Sequence, residues 1–150
     1  MDHQVVSLEE IKVIGIEMRT SNADGQEDFP LLMNRFYSEN IMDKIPNKVS
    51  EEVLWLYTEY ESDYTKPFTL VICCKVKDFS DIPEGMVSKT IPASKFAVFS
   101  VTGKMPDELI KTWHYIWSSD LQRTYTGDFD LYPETPGQNK PAVSVHVAIK

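Results

Sequence analysis

Residues 11–20, IKVIGIEMRT, and residues 95–102, KFAVFSVT, each open a stretch with the same order of elements: strand, helix, strand, strand. The first is β-branched and alternates apolar with polar residues, the pattern of a half-buried strand; the second is an apolar, aromatic-rich run that also reads as a strand. After the first comes the turn-rich SNADGQED, then Phe29, Leu32, Met33 and Phe36 at i, i+3, i+4, i+7, one face of a helix. Asp28 is placed to cap this helix, with Pro30 in its first turn, where a missing N–H costs little. The helix stops before DKIPNK. Residues 53–60 and 68–77 then read as two strands of a hairpin around ESDYTKP. In the second stretch Gly103 breaks the strand and Pro106 opens a helix. Leu109, Ile110, Trp113, Ile116 and Trp117 share one face of it, with Asp107 and Lys111 paired on the outside. TYTGDFDLY and AVSVHVAIK supply two closing strands around the polar loop PETPGQNKP. An order of elements that returns after about half the chain is the mark of an internal duplication.

That repeat limits the fold. Each half alone is too small for a comfortable core, so the halves, about residues 1–80 and 86–150, must complete one another. The expected product is a single α+β domain over residues 1–150. It consists of two pseudo-symmetric βαββ modules, with a mainly antiparallel sheet and two principal helices layered on it. A groove between the repeats is the natural place for a ligand.

Composition removes several classes of function. The net charge of −8 argues against direct contact with nucleic acid, which needs clustered Lys and Arg. The N-terminus, MDHQVVSLEEIK, has no signal pattern and no run approaches a membrane helix, so a cytoplasmic address is expected. SLEE at Ser7 matches a capping box, but a strand pattern follows and no helix is assigned. Cys73 and Cys74 are adjacent, point to opposite faces of a strand, and read as two reduced buried thiols. His3, His114 and His146 are scattered, with no spacing for a metal site, and the sequence asks for no cofactor.

The stretch IPASKFAVFSVTGKMPDELIKTWHYIWSSDLQRTYTGDFDLY carries an Ile-Pro pair and an aromatic-rich strand ending in Gly. A helix with Trp and an Ile-aromatic step follows, then Asp-Phe-acid-x-Tyr. In this it resembles the GyrI-like, or AraC-type effector-binding, superfamily, and within it the free-standing integron-associated effector-binding proteins. The resemblance is strong over residues 86–134 and holds in element order over residues 1–80. It implies a duplicated βαββ scaffold whose groove binds amphipathic, often cationic, aromatic compounds over a buried glutamate. The matching position here is Asp130, one methylene shorter, which withdraws the charge by about 1.5 Å. The family's Glu-Trp-Leu-Pro after the second helix is replaced by Ser119-Asp120-Leu121-Gln122, so one pocket aromatic is missing. Many relatives are fused to a helix-turn-helix domain. Here the duplicated module takes up every residue, which implies a separate DNA-binding regulator as partner.

The candidate ligand-binding residues are Asp130, Trp117, Tyr132, Tyr60, Phe36 and Trp113. A carboxylate in an apolar cleft either neutralises or awaits a cation; Asp130 can equally be an exposed strand residue. Tyr132 falls on the same strand face, its hydroxyl able to meet that carboxylate or a ligand. Trp113 sits at the centre of the apolar arc and Trp117 at its edge, which makes Trp117 the better wall. Strand alternation points Trp55 and Tyr57 one way and Tyr60 the other, so only one set lines a cleft; Tyr60 is taken. Two alternatives stand beside ligand binding. One is a hydrolase using Asp130 with Tyr132 as acid or base, although no Ser-His-Asp, Cys-His or phosphate-loop pattern is present. The other is a protein-interaction module.

Overall fold

The computed structural model describes residues 1–134 and 141–150. The chain runs β1 (Gln4–Leu8), β2 (Ile11–Thr20), α1 (Gly25–Ser38), α2 (Ile41–Lys44), β3 (Val53–Thr58) and β4 (Phe68–Lys75), followed by β5 (Val87–Ile91), β6 (Ser94–Val101), α3 (Asp107–Ser118), β7 (Asp128–Tyr132) and β8 (Val143–Ile149). Eight strands form one sheet in the order β1-β6-β8-β7-β3-β4-β2-β5. Every strand pairing among the described residues is antiparallel. The fold is the expected α+β duplication: β2-α1-β3-β4 answers β6-α3-β7-β8. Their strands lie as mirror orders, β6-β8-β7 and β3-β4-β2, about a seam at β7 and β3. Of the loop PETPGQNKP, residues 135–140 lie outside the described residues.

Each repeat carries one strand more than its sequence pattern shows. β1 and β5 precede their repeats and are exchanged: β1 pairs with β6 of the second repeat, β5 with β2 of the first. Only Glu9–Glu10 separate β1 from β2, and only Pro92–Ala93 separate β5 from β6. A two-residue link spans at most about 10 Å, so the far ends of the sheet must meet and the sheet must curl. The face inside the curl buries Val13, Leu54, Leu56, Phe96 and Phe129, with Ile91 closing it from β5. No helix is needed to cover it.

The other face carries the helices. Leu32 and Phe36 of α1 pack on Ile14, Ile16, Leu70 and Ile72. Ile116 of α3 packs on Phe99, Val143, Val145 and Val147. Cys73 and Cys74 are buried free thiols, as read; burial pushes both thiols up, Cys74 to about 11. Two local readings change. The first helix begins at Gly25, earlier than Asp28, whose carboxylate instead accepts from the Thr20 hydroxyl at 2.7 Å. On α3, Asp107 pairs with Lys104 and Lys111 with Glu108, because the i, i+3 partners lie closer than the expected i, i+4 pair.

Candidate functional site

The two long helices stand over opposite halves of the sheet and leave a gap above the β3–β7 seam. That gap is a cleft of about 770 Å³. Its floor is set by register. Trp55 of β3 lies opposite Asp130 of β7, Tyr57 opposite Asp128, and Val53 opposite Tyr132, so all six point to the helix side. Phe29 and Met33 of α1 form one wall. Leu109, Ile110, Trp113 and Trp117 of α3 form the other. All three tryptophans of the chain line the cleft, as do Tyr57, Tyr60, Tyr64 and Tyr132.

Asp130 lies behind this aromatic floor with none of its surface exposed. The Tyr57 hydroxyl donates to its Oδ2 at 2.6 Å and the Trp113 indole N–H to its Oδ1 at 2.9 Å. Burial pushes its carboxyl up to about 7, against the opposing pull of those two donors, and the nearby Asp128 adds to the rise. The exposed-strand alternative for Asp130 is therefore set aside. The same carboxylate and burial raise the hydroxyls of Tyr57 and Tyr132 well above the usual tyrosine range. The Tyr132 hydroxyl makes no bond to Asp130, whose two oxygens accept from Tyr57 and Trp113.

Asp128, two residues earlier on the same face, is also fully buried. Its Oδ1 accepts from the Ala148 backbone N–H at 2.8 Å. Its Oδ2 accepts from the Tyr60 hydroxyl and from Arg123 Nη2, each at 2.7 Å. Sequence reasoning passed over Asp128 and Arg123. The available signal was the D-x-D-x-Y alternation of residues 128–132, which places both acids on Tyr132's face.

The structure brings Trp113, Trp117, Tyr60 and Tyr132 around one cleft, with Asp130 beneath its floor. Phe36 is not among them. It is fully buried in the core under α1, two turns beyond Phe29, because the cleft reaches only the N-terminal half of that helix. Trp55 and Tyr57 join Tyr60 in the cleft, against strand alternation. β3 ends at Thr58, and Glu59 takes a left-handed φ of 52°, which turns the chain and brings Tyr60 back to the same side. That conformation is held by Thr69 and Lys89 on the Glu59 carboxylate and Arg19 on its carbonyl. Trp117 stacks on Tyr64 at 5.6 Å and on His114 at 4.9 Å. Ile110, expected to pack inward with the rest of the helix face, is 50% exposed at the mouth. His3, His114 and His146 do not converge: His146 stacks on Phe129, and burial holds its imidazole down to about 4.

Over residues 4–149 the sequence matches the family model for Cass2, described as integron-associated effector binding protein. The chain belongs to that family. Among members and neighbours of this integron-associated effector-binding family, YobU of Bacillus subtilis (strain 168), a candidate transcriptional regulator by its name, is 30% identical. That match runs over 145 residues, 91% of this chain and 90% of YobU. An integron cassette protein of Vibrio cholerae superposes with a TM-score of 0.77 at 28% identity, covering 99% of this chain and 95% of its own. SAV2435, solved bound to tetraphenylphosphonium, has the same fold, with a TM-score of 0.81 at 20% identity over 100% of this chain and 94% of its own. No helix among the described residues is long and apolar enough to cross a membrane.

Tyr57 tests the coupling in this site. Tyr57→Phe leaves Asp130 Oδ2 without a donor, and hydrogen bonds to an ionised group are worth about 1.5–3 kcal/mol. Urea unfolding at pH 8 is expected to show a loss of about 2 kcal/mol. A carbon-detected titration of Asp130 is expected to rise above its native value, since the lost bond favours the charged form.

Proposed function

We propose that this chain is a stand-alone small-molecule binding module whose cleft receives amphipathic aromatic compounds, cationic ones in particular. One observation carries the reading. A cleft of about 770 Å³ is walled by every tryptophan in the chain and by four tyrosines, above a buried carboxylate. Aromatic faces attract a cation by about 0.5–2 kcal/mol each. A carboxylate about 6 Å away adds about 3 kcal/mol at an effective dielectric constant near 20. The ligand of SAV2435, an aromatic cation, is of this class. Trp117, Trp113, Tyr60 and Tyr132 supply stacking surface, and Asp130 supplies charge through the Tyr57–Trp113 floor.

The name of YobU supports a place in transcription control. With a net charge of −8, this chain would act through a separate DNA-binding regulator, or by sequestering compounds in the cytoplasm. The hydrolase alternative has less support: Asp130 is fully buried behind the floor, held by Tyr57 and Trp113, and is not among the residues lining the cleft.

Tryptophan fluorescence tests the reading directly. Tetraphenylphosphonium and cationic aromatic dyes are expected to quench emission saturably, with one site per chain. Trp117→Leu, read through the remaining Trp55 and Trp113, is expected to weaken binding about tenfold, about 1.4 kcal/mol and within the range of one cation–π contact. Quenching that never saturates, or that ignores Trp117, removes the cleft as the site and favours the protein-interaction alternative.

A further inference from the structure

Arg123 is enclosed in the wall of the cleft, with 4% of its side chain exposed. Its Cζ lies 4.3 Å from the centre of the Tyr125 ring and 5.9 Å from that of Trp113. Only Nη2 is used, in the 2.7 Å contact with Asp128. Nε and Nη1 have no hydrogen-bond partner among the described residues. A two-pronged grip on Asp128, the usual arginine–carboxylate geometry, is not formed: the second Asp128 oxygen accepts from Ala148 N–H. Buried donors without acceptors cost free energy, and neither the ion pair nor the core uses these two. Arg123 lines the cleft, but Nε and Nη1 have almost no exposed surface of their own, so a ligand oxygen meets them only where the rings packed on the guanidinium give way.

Resting on the reading of that cleft as a ligand site, we infer that Arg123 is a binding residue for an oxygen acceptor, a carboxylate or carbonyl, carried on the aromatic frame of the ligand. Asp128 neutralises the guanidinium, so Arg123 offers N–H donors without opposing a cation with a net positive charge. The preferred ligand class then narrows to aromatic cations that also bear an acceptor, zwitterions among them. A site built around a buried donor discriminates against the analogue that lacks the partner, because the donor is then left unpaired.

A matched pair of probes separates the two readings. Benzyltriphenylphosphonium and (4-carboxybenzyl)triphenylphosphonium share cation and rings and differ by one carboxylate; 2-naphthoate carries the acid without the cation. Calorimetric titration of the native chain at pH 8 is expected to show the carboxylated phosphonium bound about tenfold more tightly than its parent. In the double variant Arg123→Met with Asp128→Asn, which removes both buried charges together, that ratio is expected to fall to about one. Arg123→Lys, which keeps a counter-ion for Asp128, is expected to reduce the ratio as well; circular dichroism melts establish that each variant is folded. If the native chain binds both phosphoniums equally, the role of Arg123 is overturned while the cleft reading stands. If it binds neither, the cation reading fails and naphthoate decides: binding that the double variant loses supports Arg123, and no binding overturns it too.

Discussion

Asp128→Ala is expected to lower the free energy of unfolding by about 3–5 kcal/mol, the cost of breaking a buried ion pair by removing one partner. The side chains of the pair are 4% and 0% exposed, so water reaches neither. Removing the carboxylate leaves the Arg123 guanidinium as an uncompensated charge in the cleft wall. It also strips the Tyr60 hydroxyl and the Ala148 N–H of their acceptor. These groups come from separate parts of the chain: the turn after β3, the segment after α3, and β8. Asp128 is therefore the point at which the two repeats are pinned across the seam. A natural domain has about 5–15 kcal/mol in total, so the variant should sit near the edge of folding at 25 °C. Urea unfolding followed by circular dichroism measures the loss. The double variant Asp128→Asn with Arg123→Met is expected to recover much of it, since a neutral pair carries no unpaired ion. A loss below about 1 kcal/mol for Asp128→Ala would mean that the guanidinium escapes to solvent, and the pinning role would be withdrawn.

The scaffold was legible because its central strands and long helices carry their own periodicity. β2, β3, β4 and β6 alternate or run apolar because both faces of the curled sheet are buried, and α3 shows its arc because one side lies on the sheet. β1 and β5 carry no such mark. QVVSL and VSKTI are short, half-exposed edge strands whose partners belong to the opposite repeat, so nothing local specifies them. The site was legible only in part, for reasons of the same kind. Helical spacing identifies the face shared by Phe29 and Phe36, but not how far along the helix the cleft extends. Strand alternation places Tyr60 only while the backbone stays extended, and Glu59 ends that with one left-handed residue. The burial of Asp130 depends on Tyr57, 73 residues away, and on Trp113, 17 residues away, and pairings over those separations leave no pattern in a single sequence.

Cation binding is expected to weaken about a hundredfold between pH 8 and pH 5. The Asp130 carboxyl is raised from its ordinary 3.8 to about 7, first by burial and then by Asp128, against the donors Tyr57 and Trp113. If the ionised form is the one that attracts the ligand, affinity is flat above pH 7 and falls by up to tenfold per unit below it, two units giving the hundredfold. The Coulomb energy of about 3 kcal/mol at 6 Å sets a similar ceiling. Folding responds with the opposite sign. A carboxyl raised on folding holds its proton more tightly in the native state, so its contribution to stability is complete below about pH 4 and is lost as pH climbs through 7. The ligand-free protein should therefore lose stability from this group over the range in which it gains affinity, and a bound cation should restore it by compensating the buried charge. Asp130→Asn is expected to remove both slopes, to stabilise the ligand-free chain at pH 8, and to bind tetraphenylphosphonium at every pH with the weak affinity of the native chain at pH 5. His114 stands in the same wall, so His114→Gln is the control. Fluorescence titrations at pH 5, 6, 7 and 8 on the three proteins decide between them: a slope that survives in Asp130→Asn but vanishes in His114→Gln assigns the pH response to the mouth of the cleft rather than its floor.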